Sequence, residues 1–126
     1  MFGLLLAASI LLLVTGLAHS VLGEVLILRH MATFQGVPSV LGSVEWTKRT
    51  LRFTWHLPAL LASGMALILG RYAYLTQHGA EERFVIQTIS GTLLACSVVT
   101  LAVSRAKHPG WVAFLVAAVL CWMGAR

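Results

Sequence analysis

Charge is scarce in this chain. Only 10% of its 126 residues are charged, against 59% that are hydrophobic, and the mean hydropathy is +0.89. That scarcity argues against a soluble domain of this size, because a small domain has too little interior to hide so much apolar surface. Basic runs interleaved with aromatic residues are also missing. The net charge of +5 therefore does not point to nucleic acid. Lys and Arg fall between apolar segments, where membrane topology and lipid headgroups account for them. Cysteine is sparser still. Cys96 and Cys121 sit inside apolar stretches without a CxxC pair, which argues against a disulfide framework and leaves them as small buried residues. No internal repeat or low-complexity stretch is evident. The first segment lacks a positively charged n-region. Although Gly16-Leu17-Ala18 has the small residues of a cleavage site, the apolar run resumes from Val21 to Leu28, so a retained first helix is expected.

What is present is length enough for four crossings. A helix needs roughly 20 apolar residues to span the hydrocarbon layer, and the sequence predicts helices over 2–28, 44–75, 84–104 and 109–125. Ser43 is placed as the N-cap of the second helix and Pro109 as the first position of the fourth. The expected fold is all-α, a single transmembrane domain forming an up-down four-helix bundle. Trp46, Trp55 and Trp111 mark one interface, and Tyr72, Tyr74 and Trp122 the other. Arg29, Lys48, Arg49, Arg52, Arg105 and Lys107 gather at the end joining helices one to two and three to four. Arg71, Arg83 and Arg126 lie at the opposite end, offset by Glu81 and Glu82. The charge bias puts the basic end in the cytoplasm and both termini outside.

Ionisable groups at membrane depth are costly and by default mark function. Up-down topology brings His19, Glu24, His56 and His108 to the same basic end. His19 and Glu24 are five apart, roughly 140° around an α-helix, so they do not share a face. Ser20 and Glu24 do. On the second helix Glu45, Arg49, Arg52 and His56 follow steps of three and four, offering Arg49 or Arg52 as a counter-ion to Glu24. His19, His56, His108 and Glu24 are the expected ligands of a transition metal (Zn, Fe or Cu), since imidazole and carboxylate donors suit these ions. No local motif such as HExxH accompanies them. Haem is the alternative, ligated by His19 and His56 with Arg52 or Arg105 receiving the propionates. The competing account leaves Glu24 paired with an arginine and the histidines bonded to backbone carbonyls.

On the third helix Thr88, Thr92, Cys96, Thr100 and Ser104 repeat at i,i+4. They either line a hydrophilic path or bond back to their own helix. His30 and His78 are expected to face solvent in connections, and a kink is allowed near His56 by Pro58.

Three strings, His19-Ser20-Val21-Leu22-Gly23-Glu24, Leu51-Arg52-Phe53-Thr54-Trp55-His56 and His108-Pro109-Gly110-Trp111, resemble an uncharacterised group of short bacterial four-helix membrane proteins with HSxLGE, LRxxWH and HP elements. The resemblance implies an architecture and a bacterial inner membrane, but no reaction. Three functions are expected. The first is a small membrane protein with a His/Glu metal or metallo-cofactor site near the cytoplasmic interface, serving a lipid-soluble substrate or redox chemistry. The second is an oligomeric proton-coupled transporter or channel using Glu24. The third is an assembly partner without cofactor. The lipid bilayer is the expected surrounding in each, and a homo-oligomer an expected assembly.

Overall fold

Runs of Leu, Ala, Val and Ile leave the backbone no competitor for its own hydrogen bonds, and the apolar segments accordingly form helices. The computed structural model describes residues 2–39, 42–75 and 77–126. Its helices are α1 (Phe2–Gly23), α2 (Arg29–Thr33), α3 (Val44–Ala73), α4 (Ala80–Ser104) and α5 (Gly110–Gly124), and a single π turn (Glu24–Leu28) joins α1 to α2 without a break. Three helical stretches, Gly3–Thr33, Val44–Ala73 and Ala80–Ser104, are long and apolar enough to cross a membrane; the fourth, Gly110–Gly124, is apolar but shorter. The first stretch thus stays helical through Thr33, past the expected end at 28. Ser43 caps α3, its hydroxyl accepting the Trp46 N–H at 3.2 Å.

The helices do not pack in simple chain order. α1 lies between α3 and α5, and α4 packs on α5, whereas the consecutive helices α3 and α4 scarcely touch. The packed core lies toward the end that holds the first turns of α1 and the last turns of α3 and α5. It contains Leu5, Ala8, Leu12, Ala66, Leu69, Ala73, Ile86, Ile89, Leu93, Ala117, Ala118 and Cys121. Small residues share the inside with leucine and isoleucine, while Leu17, Leu60, Leu61, Leu67, Val99 and Val103 are exposed. That is the arrangement expected of helices solvated by lipid, where close backbone approach, rather than exclusion of water, holds neighbours together. At Gly16 a Cβ would stand 3.3 Å from the Ala59 carbonyl oxygen, so α1 and α3 meet nearly backbone to backbone.

Hydroxyls fasten these seams. Ser9 donates to the Ala66 carbonyl at 2.7 Å, Ser90 to Ala118 and Ser97 to Trp111, both at 2.8 Å. Each bond crosses between helices. Ser90→Ala is expected to lower stability by about 0.6–1.7 kcal/mol, read as a shift in the midpoint of unfolding in mixed micelles. The i,i+4 series on α4 behaves differently. Thr88 and Thr92 donate to Phe84 and Thr88 of their own helix, at 2.8 and 2.9 Å, and both are exposed with Cys96.

Candidate functional site at the α1–α3 seam

Two residue pairs hold the C-terminal half of α1 against α3. In the first, His19 Nε2 donates to the Trp55 carbonyl at 3.1 Å and Trp55 Nε1 donates to the His19 carbonyl at 3.2 Å. Their rings stack with centroids 5.0 Å apart and planes 4° from parallel. The indole reaches this position because residue 23 is glycine: a Cβ there would come within 1.8 Å of Trp55 Nε1. Trp55 is therefore a seam residue, packed between α1 and α3.

The second pair lies one helical step on. Ser20 and Glu24 share a face of the α1 helix and its continuation, and His56 of α3 stands between them. Its Nδ1 is 2.6 Å from Ser20 Oγ, and its Nε2 is 3.6 Å from Glu24 Oε2. The carboxylate favours a proton on Nε2, which leaves Nδ1 to accept the Ser20 hydroxyl; this tautomer is assigned from the partners. Both Glu24 oxygens are taken by Arg52 in a bidentate pair, Nε to Oε2 at 3.1 Å and Nη2 to Oε1. The fork of a guanidinium matches a carboxylate in this way. Arg29 Nε lies 3.9 Å from the same carboxylate. Ser20, Val21, Glu24, Val25, Arg29 and His56 together line an open cleft of about 340 Å³.

The π turn shapes this cleft. The Arg29 N–H bonds to the Glu24 carbonyl, an i→i+5 closure. Residues five apart on an α-helix are roughly 140° apart, but the wider turn stacks Arg29 over Glu24. π turns of this kind occur frequently at functional sites. Helical periodicity carries no mark of the inserted residue, and spacing alone groups Arg29 with the topological charges rather than the site. Ser20 is legible as the i,i+4 neighbour of Glu24, but its hydroxyl contact to His56 depends on how α3 is seated.

The remaining candidates stand elsewhere. Of the two arginines offered to Glu24, Arg52 binds it, while Arg49 pairs with Glu45 at 3.0 Å. His108 is exposed in the α4–α5 connection, its Nδ1 accepting the Gly110 N–H at 3.0 Å. Arg105 ends α4 in the left-handed region with φ 50°, also exposed. Among the described residues, no contact joins His108 or Arg105 to Glu24, and no group of three His, Cys, Asp or Glu is placed to hold a metal. A cation at Glu24 would have to displace the Arg52 guanidinium. Haem would require His19 to leave Trp55 and His56 to leave Ser20. His30 is exposed, but His78, expected in solvent, is buried at 8% exposure. Its Nε2 donates to the Tyr72 carbonyl at 3.1 Å and its ring meets Tyr72 edge-on. The Tyr72 carbonyl, in the last turn of α3, accepts from this imidazole in addition to the Leu75 N–H at 3.0 Å, a pairing that the surrounding sequence does not advertise.

Comparison with known proteins assigns no relationship: no family model, curated protein or solved structure matches the chain.

Proposed function

We propose that the chain is an integral membrane protein carrying an acid–base centre, Ser20–His56–Glu24, at the basic interface, and that it acts on an amphiphilic molecule entering laterally from the bilayer. The observation that carries this is the position of one imidazole between a hydroxyl and a carboxylate, on opposite ring nitrogens, at 2.6 and 3.6 Å. A nucleophile, a base and an orienting acid in that order form the constellation that activates serine on unrelated folds. Ser20 Oγ is the nucleophile, His56 Nδ1 accepts its proton, and Glu24 favours the proton-bearing Nε2. Arg52 fixes the carboxylate from the far side. The cleft opens beside two valines, Val21 and Val25, which suits a substrate with an apolar tail.

The test is covalent capture in detergent-solubilised protein with an alkyl fluorophosphonate. Attack by Ser20 forms an Oγ–P bond, fluoride leaves with the P–F bond, and the serine proton passes to His56. A mass increase located at Ser20, and absent from Ser20→Ala, is expected. Failure to modify Ser20 under conditions that fully label a membrane serine hydrolase would sink the proposal.

A second reading is favoured by the same 3.6 Å separation of Glu24 Oε2 and His56 Nε2, which two ligands of one transition metal would also adopt. It requires Arg52 to withdraw. Stoichiometric Zn, Fe or Cu lost in His56→Ala, together with an unreactive Ser20, would select it. The basic end is then assigned to the cytoplasm, in a bacterial inner membrane, from the charge bias and the sequence resemblance.

A further inference from the structure

We infer that the cleft receives the phosphate headgroup of an anionic phospholipid, with Arg29 as the residue that selects it. This names a ligand class for the acid–base centre; it rests on that proposal for any reaction of the bound lipid, but not for binding itself. One carboxylate, Glu24, faces two guanidinium groups, so the cluster keeps a net positive charge before His56 is counted. The bidentate contact belongs to Arg52. Arg29 touches the carboxylate only at 3.9 Å, and its side chain is 68% exposed. Arg29 lines the cleft, and its guanidinium is largely accessible there to a ligand.

The backbone is built to put it there. The i→i+5 bond from Arg29 N–H to the Glu24 carbonyl carries Arg29 onto the face of Ser20 and Glu24, away from where α-helical spacing would leave it. On the same wall Val21 and Val25 are exposed. A mostly apolar cleft, with an exposed and only weakly engaged guanidinium at its edge near the end of a membrane-length helix, matches a phosphate with its acyl chains alongside. Net headgroup charge distinguishes this ligand from phosphatidylcholine, whose phosphodiester is balanced by a choline cation: an arginine beside a headgroup contributes selectively toward anionic lipid.

The experiment uses the full-length protein in vesicles and spin-labelled phosphatidylglycerol or phosphatidylcholine, with inorganic phosphate as a third arm. Phosphatidylglycerol is expected to be preferentially immobilised, and Arg29→Ala to reduce its relative association constant about fivefold. Arg29→Lys should retain part of the preference. Arg49→Ala, which removes a charge already paired with Glu45 on the same end, should leave it unchanged. Equal loss in Arg49→Ala would show nonspecific surface charge and overturn the inference. So would stoichiometric binding of inorganic phosphate without any preference between lipids. Helicity of each variant is checked by circular dichroism; if Arg29→Ala is misfolded, Arg29→Lys with an undiminished preference for phosphatidylglycerol at raised salt decides against a charge-selected headgroup. Selectivity retained with an unreactive Ser20 would remove the acid–base proposal and leave the lipid site. Selectivity absent with a reactive Ser20 would do the reverse.

Discussion

His56→Ala is expected to slow fluorophosphonate modification of Ser20 by about 10²- to 10⁴-fold, the range over which a positioned base contributes to proton transfer. The variant removes both functions of the imidazole at once: the acceptor 2.6 Å from Ser20 Oγ and the group that couples the hydroxyl to Glu24. Pseudo-first-order labelling rates, followed by intact mass, measure it directly. The contrast that gives the number meaning is His19→Ala. His19 is the immediate sequence neighbour of Ser20, but its ring is stacked on Trp55 and its Nε2 donates to a backbone carbonyl. Its removal should loosen the seam while changing the labelling rate far less. Glu24→Gln lies between them, at about tenfold, because it keeps the shape beside Nε2 and removes the charge. Equal rates for wild type and His56→Ala would mean that any modification of Ser20 is unassisted, and the 2.6 Å contact is then only a satisfied polar pair.

Gly23→Val should produce the largest structural effect of any single substitution in α1. Even the first added carbon would sit 1.8 Å from Trp55 Nε1 and 2.4 Å from its Cε2. Neither neighbour can yield cheaply, since the indole is anchored by its bond to the His19 carbonyl and by the stacked imidazole. Overpacking typically costs about 1–3 kcal/mol and occasionally more. Here it also breaks two hydrogen bonds that cross between α1 and α3. The expected result is a lowered unfolding midpoint in micelles, with Trp55 fluorescence shifted and quenched differently. Loss of Ser20 labelling should accompany it, because the same displacement moves His56, the next residue on α3. Gly3→Val gives the control, as a Cβ there meets nothing within 4 Å. Matching midpoints for the two variants would overturn the account of the seam.

The α1–α3 seam and the site thus stand or fall together, and they do so at the loosely packed end of the molecule. The alanine-rich core is concentrated toward the opposite end. At the site end, α1 is held to α3 by Gly16 against Ala59 and then by the His19–Trp55 and Ser20–His56 pairs. Polar side chains there substitute for core packing, and their geometry is correspondingly exposed to single substitutions.

Hydropathy alone determined that this chain is helical and that most of its length suits a membrane. Long apolar runs can satisfy their backbone in lipid only as helices or closed barrels, and the runs are too long and too free of alternation for strands. It also brought His19, Glu24 and His56 toward one end and offered Arg52 to Glu24, because up-down connectivity and i,i+4 spacing are one-dimensional facts. Only the tertiary structure decided which of those groups face each other. His19 turns to Trp55, whose approach depends on a missing Cβ at Gly23. His56 turns to Ser20, and His108 remains on another connection. The π turn at Glu24 had no signature in the residues, since one extra residue in a helix leaves an apolar sequence looking the same. Its consequence is nonetheless what defines the cleft: it brings Arg29 over Glu24, onto a face that regular helical spacing would have denied it.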